Sequence, residues 1–376
     1  MRPSRVASLC GILALAAPAV AQTPGFWLVG APAGTDRSRV FGLSQTGAVA
    51  AGFGETSSGA GGLPGFTWTS AGGRTDFGLD PGMPGGTPGY GLSSDGNTLV
   101  GFMGGPGTDR AYRRIGNGPL QDLGPFYSYT RARAVSGDGS VVAGRGFSIS
   151  SGIWFGEAFR WTAQTGIQGL GTLSGDGLST ANGISRDGST IVGESGFTVD
   201  RAFVWRQETG MQALPALPGA STAFSSADAA SADGGFIVGR GNIVGGATHA
   251  LRWTAAGAQD LGTLPDHTNS AAFSVSDDGS IVGGGADSAA GPLAFVWSAS
   301  TGMTSLPDLL TSYGVTVPAG WRPAYIYAVS GDGLTFAGEA WSTTGTVQGF
   351  VATIPSPSGP VALLISALLF GRRRAR

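Results

Sequence analysis

The chain has 376 residues, 68 of them Gly, with 41% hydrophobic and 12% charged residues. That much glycine without a three-residue period excludes collagen, and the hydrophobic fraction excludes a disordered tail; many short strands joined by tight turns fit both. Six of the 22 basic residues lie in the terminal segments and no acidic residue does, so the body carries 16 basic against 24 acidic groups, a net of about −8 with no Lys, and lacks the basic face that nucleic-acid binding needs.

In chain order, Arg2 and Arg5 precede an apolar run from Val6 to Ala17, and Ala19-Val20-Ala21 offers a small-x-small cleavage site. Residues 1–21 are expected to be a signal peptide cut after Ala21 by signal peptidase; the run is too short to span a bilayer. Cys10, the only cysteine, falls inside it, so the mature chain has no thiol, disulfide or Cys-based metal site.

From there the chain repeats itself. An apolar-Ser-x-Asp-Gly motif, followed by a short apolar strand ending in Gly, occurs seven times, with its Ser at 44, 93, 136, 185, 231, 276 and 330. Asp-Gly between β-rich runs is a hairpin signal, because Gly accepts the positive φ of such turns and Asp can bond the turn backbone. The first copy has Thr46 in place of the Asp. An aromatic-x-Trp strand follows, as in Phe66-Thr67-Trp68, Phe159-Arg160-Trp161, Phe203-Val204-Trp205 and Phe295-Val296-Trp297, with Leu251-Arg252-Trp253 as a variant. Alternation puts both large side chains on one face, as a packing unit between neighbouring sheets.

A Leu-rich segment comes next, as in Leu170-Gly171-Thr172-Leu173 and Leu261-Gly262-Thr263-Leu264, and is expected to be the fourth strand. Four strands in about 48 residues is the period of a propeller blade. The seventh unit stops after Phe350 without its Leu-rich strand, while Phe26–Gly30 precede the first motif unpaired. The expectation is an all-β, seven-bladed β-propeller over residues 22–354, its four-stranded antiparallel blades closed into a ring by the N-terminal strand.

The string from Ala158 to Leu173, continuing through Ser185-Arg186-Asp187-Gly188 and Ile191-Val192-Gly193, resembles the HAF-type extracellular repeats of bacteria. The resemblance implies an extracellular propeller and carries no activity. Residues 355–376 resemble a PEP-CTERM sorting signal: Pro355 and Pro357 in a short motif, the apolar run Val361–Phe370, then Arg372, Arg373 and Arg374. Such a signal implies an exosortase-like processing enzyme and transient membrane association, although Ser356 stands where its acidic residue should be. The alternative is a plain membrane anchor, for which the run is short and the Arg cluster fits cytoplasmic retention.

Chemistry is sparse. His249 and His267 lie in different units, so neither a His-rich metal site nor a ready Ser-His-Asp triad is expected, and no cofactor is implied. The Gly-rich stretches 59–65 and 82–89 follow no phosphate-binding template, and Asp277-Asp278-Gly279 is expected to be a turn, not a calcium loop. The acids Asp109, Glu157, Glu194, Asp200, Asp266 and Glu339 are spread over the linking loops. Two aromatic corners stand out: in the third unit, Phe126, Tyr127 and Tyr129 are expected in the incoming loop and Trp154 and Phe155 in a long loop after Gly144; in the seventh, Tyr313, Trp321, Tyr325 and Tyr327 are expected in a long insertion, with Trp341 in the partner loop. Exposed rings there would suit a sugar or a protein; packing beneath long loops is the other reading. The expected function is an exported, non-catalytic surface or matrix protein whose propeller is a binding or structural module, with a saccharide or envelope component as partner. The alternative is a propeller glycosidase or lyase, which would need paired carboxylates facing one pocket.

Overall fold

The computed structural model describes residues 23–59, 62–78, 85–104, 109–150, 152–220 and 224–356. The predicted signal peptide with Ala21, and the tail from Pro357 through Arg372, Arg373 and Arg374, lie outside them. No helix among the described residues is long and apolar enough to cross a membrane.

Seven four-stranded antiparallel sheets form a seven-bladed propeller. Six blades take their strands consecutively; the seventh takes three from Trp321–Thr353, and its outer strand is Gly25–Leu28 from the chain's start. The closing register runs from Gly25 opposite Thr353 to Leu28 opposite Phe350. Phe26 stacks on Phe350 at 5.2 Å, and Trp27 packs against Trp68 of blade 1 at 5.8 Å, so the closing strand ties the last blade to the first. The Phe of the aromatic strands is fully buried between blades at Phe66, Phe159, Phe203 and Phe295, as alternation requires.

The Ser-x-Asp-Gly turns join the innermost strand of each blade to the second. Each Gly has φ between 69° and 74°. Each Ser is buried, and in the fourth copy its hydroxyl donates to Asp187 at 2.5 Å while accepting the Thr190 N–H at 2.9 Å. The Asp accepts a further N–H two residues on, from Ser189 at 2.9 Å. In copies two and three, first the Ser hydroxyl and then the backbone N–H hold the Asp95 and Asp138 carboxyls below the usual range. Removing the hydroxyl strands a buried N–H, so Ser185→Ala is expected to cost about 1–3 kcal/mol in urea unfolding, and exposed Ser189→Ala much less.

The fourth strand is not where the Leu-rich motif suggested. The outer strands are Gly166–Gly169, Gly210–Ala213, Gly257–Asp260 and Gly302–Ser305, each ending just before its Leu segment. Gly171 and Gly262 turn the chain out of the ladder with φ of 75° and 76°, and Leu173, Leu261 and Leu264 tuck under the neighbouring blade. In blade 6 the segment starts a short helix, Leu306–Ser312, capped by the Ser305 hydroxyl, which accepts the Asp308 N–H.

Each inner strand carries a β-bulge three residues before its motif Ser. Opposite each bulge the second strand has a glycine: Gly52, Gly101, Gly144, Gly193, Gly239, Gly284 or Gly338. A Cβ at any of these would lie 1.9–2.1 Å from a carbonyl oxygen of the inner strand or, at Gly101, of Pro88 just before it. Bulge and glycine form one device, which tilts the inner strand and turns one side chain toward the axis.

Candidate functional site

The seven bulged residues are Phe41, Tyr90, Arg133, Asn182, Asp228, Phe273 and Tyr327, and all seven line the axial cavity, of about 440 Å³. Their order around the ring divides it in two. Blades 6, 7, 1 and 2 contribute Phe273, Tyr327, Phe41 and Tyr90; blades 3, 4 and 5 contribute Arg133, Asn182 and Asp228. The aromatic arc is continuous, with centroids 5.5 Å apart for Phe273–Tyr327, 4.7 Å for Tyr327–Phe41 and 5.2 Å for Phe41–Tyr90. Burial pushes both tyrosine hydroxyls well above their usual pKa, so they stay protonated.

On the polar arc, Arg133 donates to the Asn182 carbonyl oxygen at 3.0 Å, and Asn182 donates to the Ala227 carbonyl at 3.1 Å. Asp228 Oδ2 and Ser274 Oγ are shut off from solvent without a hydrogen-bond partner. Burial pushes the Asp228 carboxyl up to about 6, with the Glu194 charge adding to the rise and Arg240 opposing it. Buried polar atoms of this kind are costly, and a carboxyl so perturbed beside a cavity is a candidate functional group.

The end bearing the turns is the floor. Backbone bonds run blade to blade around it, from Gln45 N–H to Ser94 O, Ser94 to Gly137, Gly137 to Arg186, Asp187 to Ala232, Ala232 to Asp277, Asp277 to Gly331 and Gly331 back to Gln45. Inside this circle Arg186 of blade 4 reaches Asp277 of blade 6 at 2.6 Å and the Ser94 hydroxyl of blade 2 at 2.7 Å, and Gln45 donates to Asp277 at 2.9 Å. Groups on non-adjacent blades can meet only across the axis, so these side chains plug the floor. Gly137 and Gly331 leave room for the plug, since a Cβ on either would lie 2.4 Å from its atoms. The channel is thereby a cup, and its mouth is on the face of the blade-linking loops.

At the mouth, Arg39 of blade 1 bridges Glu339 of blade 7 at 2.5 Å and Glu55 at 2.8 Å, and Glu339 also accepts from the Trp341 indole at 2.9 Å. Arg131 is paired with Asp109. Arg145 lies over Phe147 at 4.9 Å; burial, reinforced by Arg133 and Arg131, pushes it down to about 10.

The predicted corners fare differently. Trp154 and Phe155 are not in a loop: they begin the strand Ile153–Thr162, half of an extended hairpin with Val141–Ser150 that stands above the blade. The structure brings this corner together through Phe147, which the sequence reading passed over. Tyr129 stacks on Phe147 at 4.7 Å, Trp154 stacks on its other side at 5.3 Å, and Tyr127 meets Phe155 at 6.0 Å. In the seventh unit Trp321, Tyr325 and Tyr327 are not in an insertion; they lie on the inner strand Trp321–Val329. Trp321 packs on the hydrophobic core, Tyr325 stands at the mouth and donates to Asp287 at 2.7 Å, and Trp341 is exposed at the rim. Both histidines are partly buried, with His249 on a strand and 2.9 Å from Asp260. Of the scattered acids, Asp109 and Glu339 are tied into ion pairs, while burial, with the Glu194 charge adding, raises the carboxyls of both Asp200 and Asp228. Among the described residues no three His, Cys, Asp or Glu side chains group as metal ligands.

Except for Tyr327, the cup residues escaped sequence reasoning. Aligning the seven copies on their Ser would have exposed them: the position three before it varies among Phe, Tyr, Arg, Asn and Asp, while the next is only Gly, Ala or Ser.

No family model matches the chain, and no curated protein matches it. Solved structures do. An oligogalacturonate lyase from Vibrio parahaemolyticus has a TM-score of 0.56 at 11% identity, covering 90% of this chain and 99% of its own. The β-propeller domain of the Trilobed protease from Pyrococcus furiosus, described as having an open velcro topology, has a TM-score of 0.56 at 8% identity, covering 86% of this chain and 100% of its own. At these identities the likeness establishes the propeller fold alone.

Proposed function

We propose that this chain is an exported, non-catalytic binding module of the cell surface or matrix whose axial cup holds a saccharide of one or two rings, or an envelope component with the same chemistry. The carrying observation is the divided ring: four aromatic side chains face three hydrogen-bonding ones across a cup of about 440 Å³. That combination, an apolar surface for a ring and a few placed polar groups for its hydroxyls, is what small-ligand pockets offer. Export rests on the signal-like residues 1–21, and passage through signal peptidase and an exosortase-like enzyme on Ala21 and the Pro355-to-Arg374 tail. The test is a glycan array followed by calorimetry on the purified protein. Tyr327→Ala and Phe41→Ala should each weaken the best saccharide about tenfold or more, and Trp154→Ala on the rim should not. The reverse pattern would move the site to the hairpin corner and overturn the cup.

One observation favours an enzyme as a second reading. Asp228 lines the cavity, and burial, with the Glu194 charge adding, raises its carboxyl to about 6, which suits a group that delivers a proton. The oligogalacturonate lyase of like fold keeps this reading open. Asp228→Asn should then abolish turnover of an oligosaccharide while leaving its binding in place.

A further inference from the structure

We infer that the ligand of the cup is an acidic saccharide, a sugar ring bearing a carboxylate or sulfate that Arg133, Arg145 and Arg240 receive. The inference rests on the cup as the binding site and adds the ligand's charge.

The arginines around the cup and its mouth fall into two groups. Arg39 and Arg131 are each neutralised by carboxylates in ion pairs. Arg133, Arg145 and Arg240, on the side of the polar arc, have no carboxylate at ion-pair distance among the described residues; Arg133 bonds only the neutral Asn182 amide, and the buried Nε of Arg145 has no partner. Arg240 lines the cavity beside Asp228. Three guanidiniums held in partial burial with no carboxylate in direct contact leave donors that an arriving anion can take, and a guanidinium offers the forked donors that carboxylate and sulfate oxygens fit. Facing them across the cavity is the aromatic arc, where a sugar ring can stack. Ring and anion are therefore specified at opposite sides of one cup.

The carboxyls on this side set the working range. Asp228 faces Arg133 from blade 3, Glu194 from blade 4 and Arg240 from its own blade. Above pH 6 the charged Asp228 opposes an anion; below it, protonated Asp228 becomes a donor and the guanidinium charge is left in excess. Affinity for the acidic sugar should therefore rise as pH falls through 6.

The experiment is calorimetry at low salt, at pH 5.5 and 7.5, with matched disaccharides that are neutral, uronate-containing or sulfated. One or both acidic sugars should bind at least tenfold more tightly than the neutral partner at pH 5.5 and lose that margin in high salt. Arg240→Gln and Arg145→Gln should erase the margin, weakening the acidic sugars at least tenfold more than the neutral one, and Arg240→Lys should keep part of it. Unfolding curves of each variant show whether the propeller is intact. Equal binding of neutral and acidic sugars, or a margin indifferent to the arginines, overturns the acidic ligand and leaves the cup standing. If no sugar binds, the cup reading falls too.

Discussion

Gly193→Ala should destabilise the protein by on the order of 4–5 kcal/mol, or prevent its recovery in folded form, although it adds a single methyl group. The added Cβ would sit 1.9 Å from the Thr180 carbonyl oxygen and 2.9 Å from the Phe203 ring. A Cβ has no rotamer that relieves such a clash, so the inner strand of blade 4 must move. That strand carries the bulge at Asn182, so the cup should lose its polar arc together with stability. Gly177→Ala, where nothing lies within 4 Å, is the control and should be near neutral by urea unfolding. Tolerance of Gly193→Ala with an unchanged cup would show that bulge and glycine are not one device.

Asp228→Asn should stabilise the protein at pH 8 by about 2–3 kcal/mol and lose that advantage near pH 4. The sign follows from proton binding. A carboxyl whose folded pKa is about 6, against about 3.9 unfolded, holds its proton more tightly when folded. Folding is therefore least penalised below pH 4, and stability falls as pH rises through 6, where the folded protein must accept a buried charge. Asparagine removes the charge at similar size, and thermal unfolding from pH 4 to 8 reads the difference. The same substitution should flatten the rise of acidic-sugar affinity below pH 6. A side chain that costs the fold stability yet lines its axial cavity has the signature of a functional residue. An unchanged pH–stability curve would leave Asp228 ordinary.

Blade number and ring closure were legible because they depend on local chemistry. Asp-Gly must turn, an aromatic-x-Trp strand must bury one face, and Phe26–Gly30 had a gap of the right kind waiting at Phe350. The outer strand was misplaced by about four residues because leucine spacing was read as strand, whereas Gly171 and Gly262 bend those segments out of the ladder and the leucines serve as wedges between blades. The third-unit aromatic corner was found, but not the reason for its compactness, since Phe147 lay within what looked like an ordinary strand. The cup was hidden because a bulge reverses the facing that alternation predicts. Asp228 sits among small residues and Phe41 between Val40 and Gly42, on strands whose simple pattern gives no sign that seven such positions converge, and convergence is a property of the ring.

The closing register has a mechanical consequence. Gly25 and Thr353 are paired neighbours at the floor end, so the chain enters and leaves the propeller side by side, opposite the mouth. Tension applied between the two ends would peel the first strand away one rung at a time, starting at Gly25, the least resistant direction for an antiparallel pair. A pull between a ligand in the cup and the outgoing strand alone would instead load the rungs of blade 7 together. A tether beyond Ile354 would therefore hold the propeller best when it is the only attachment, with the open cup directed away from it.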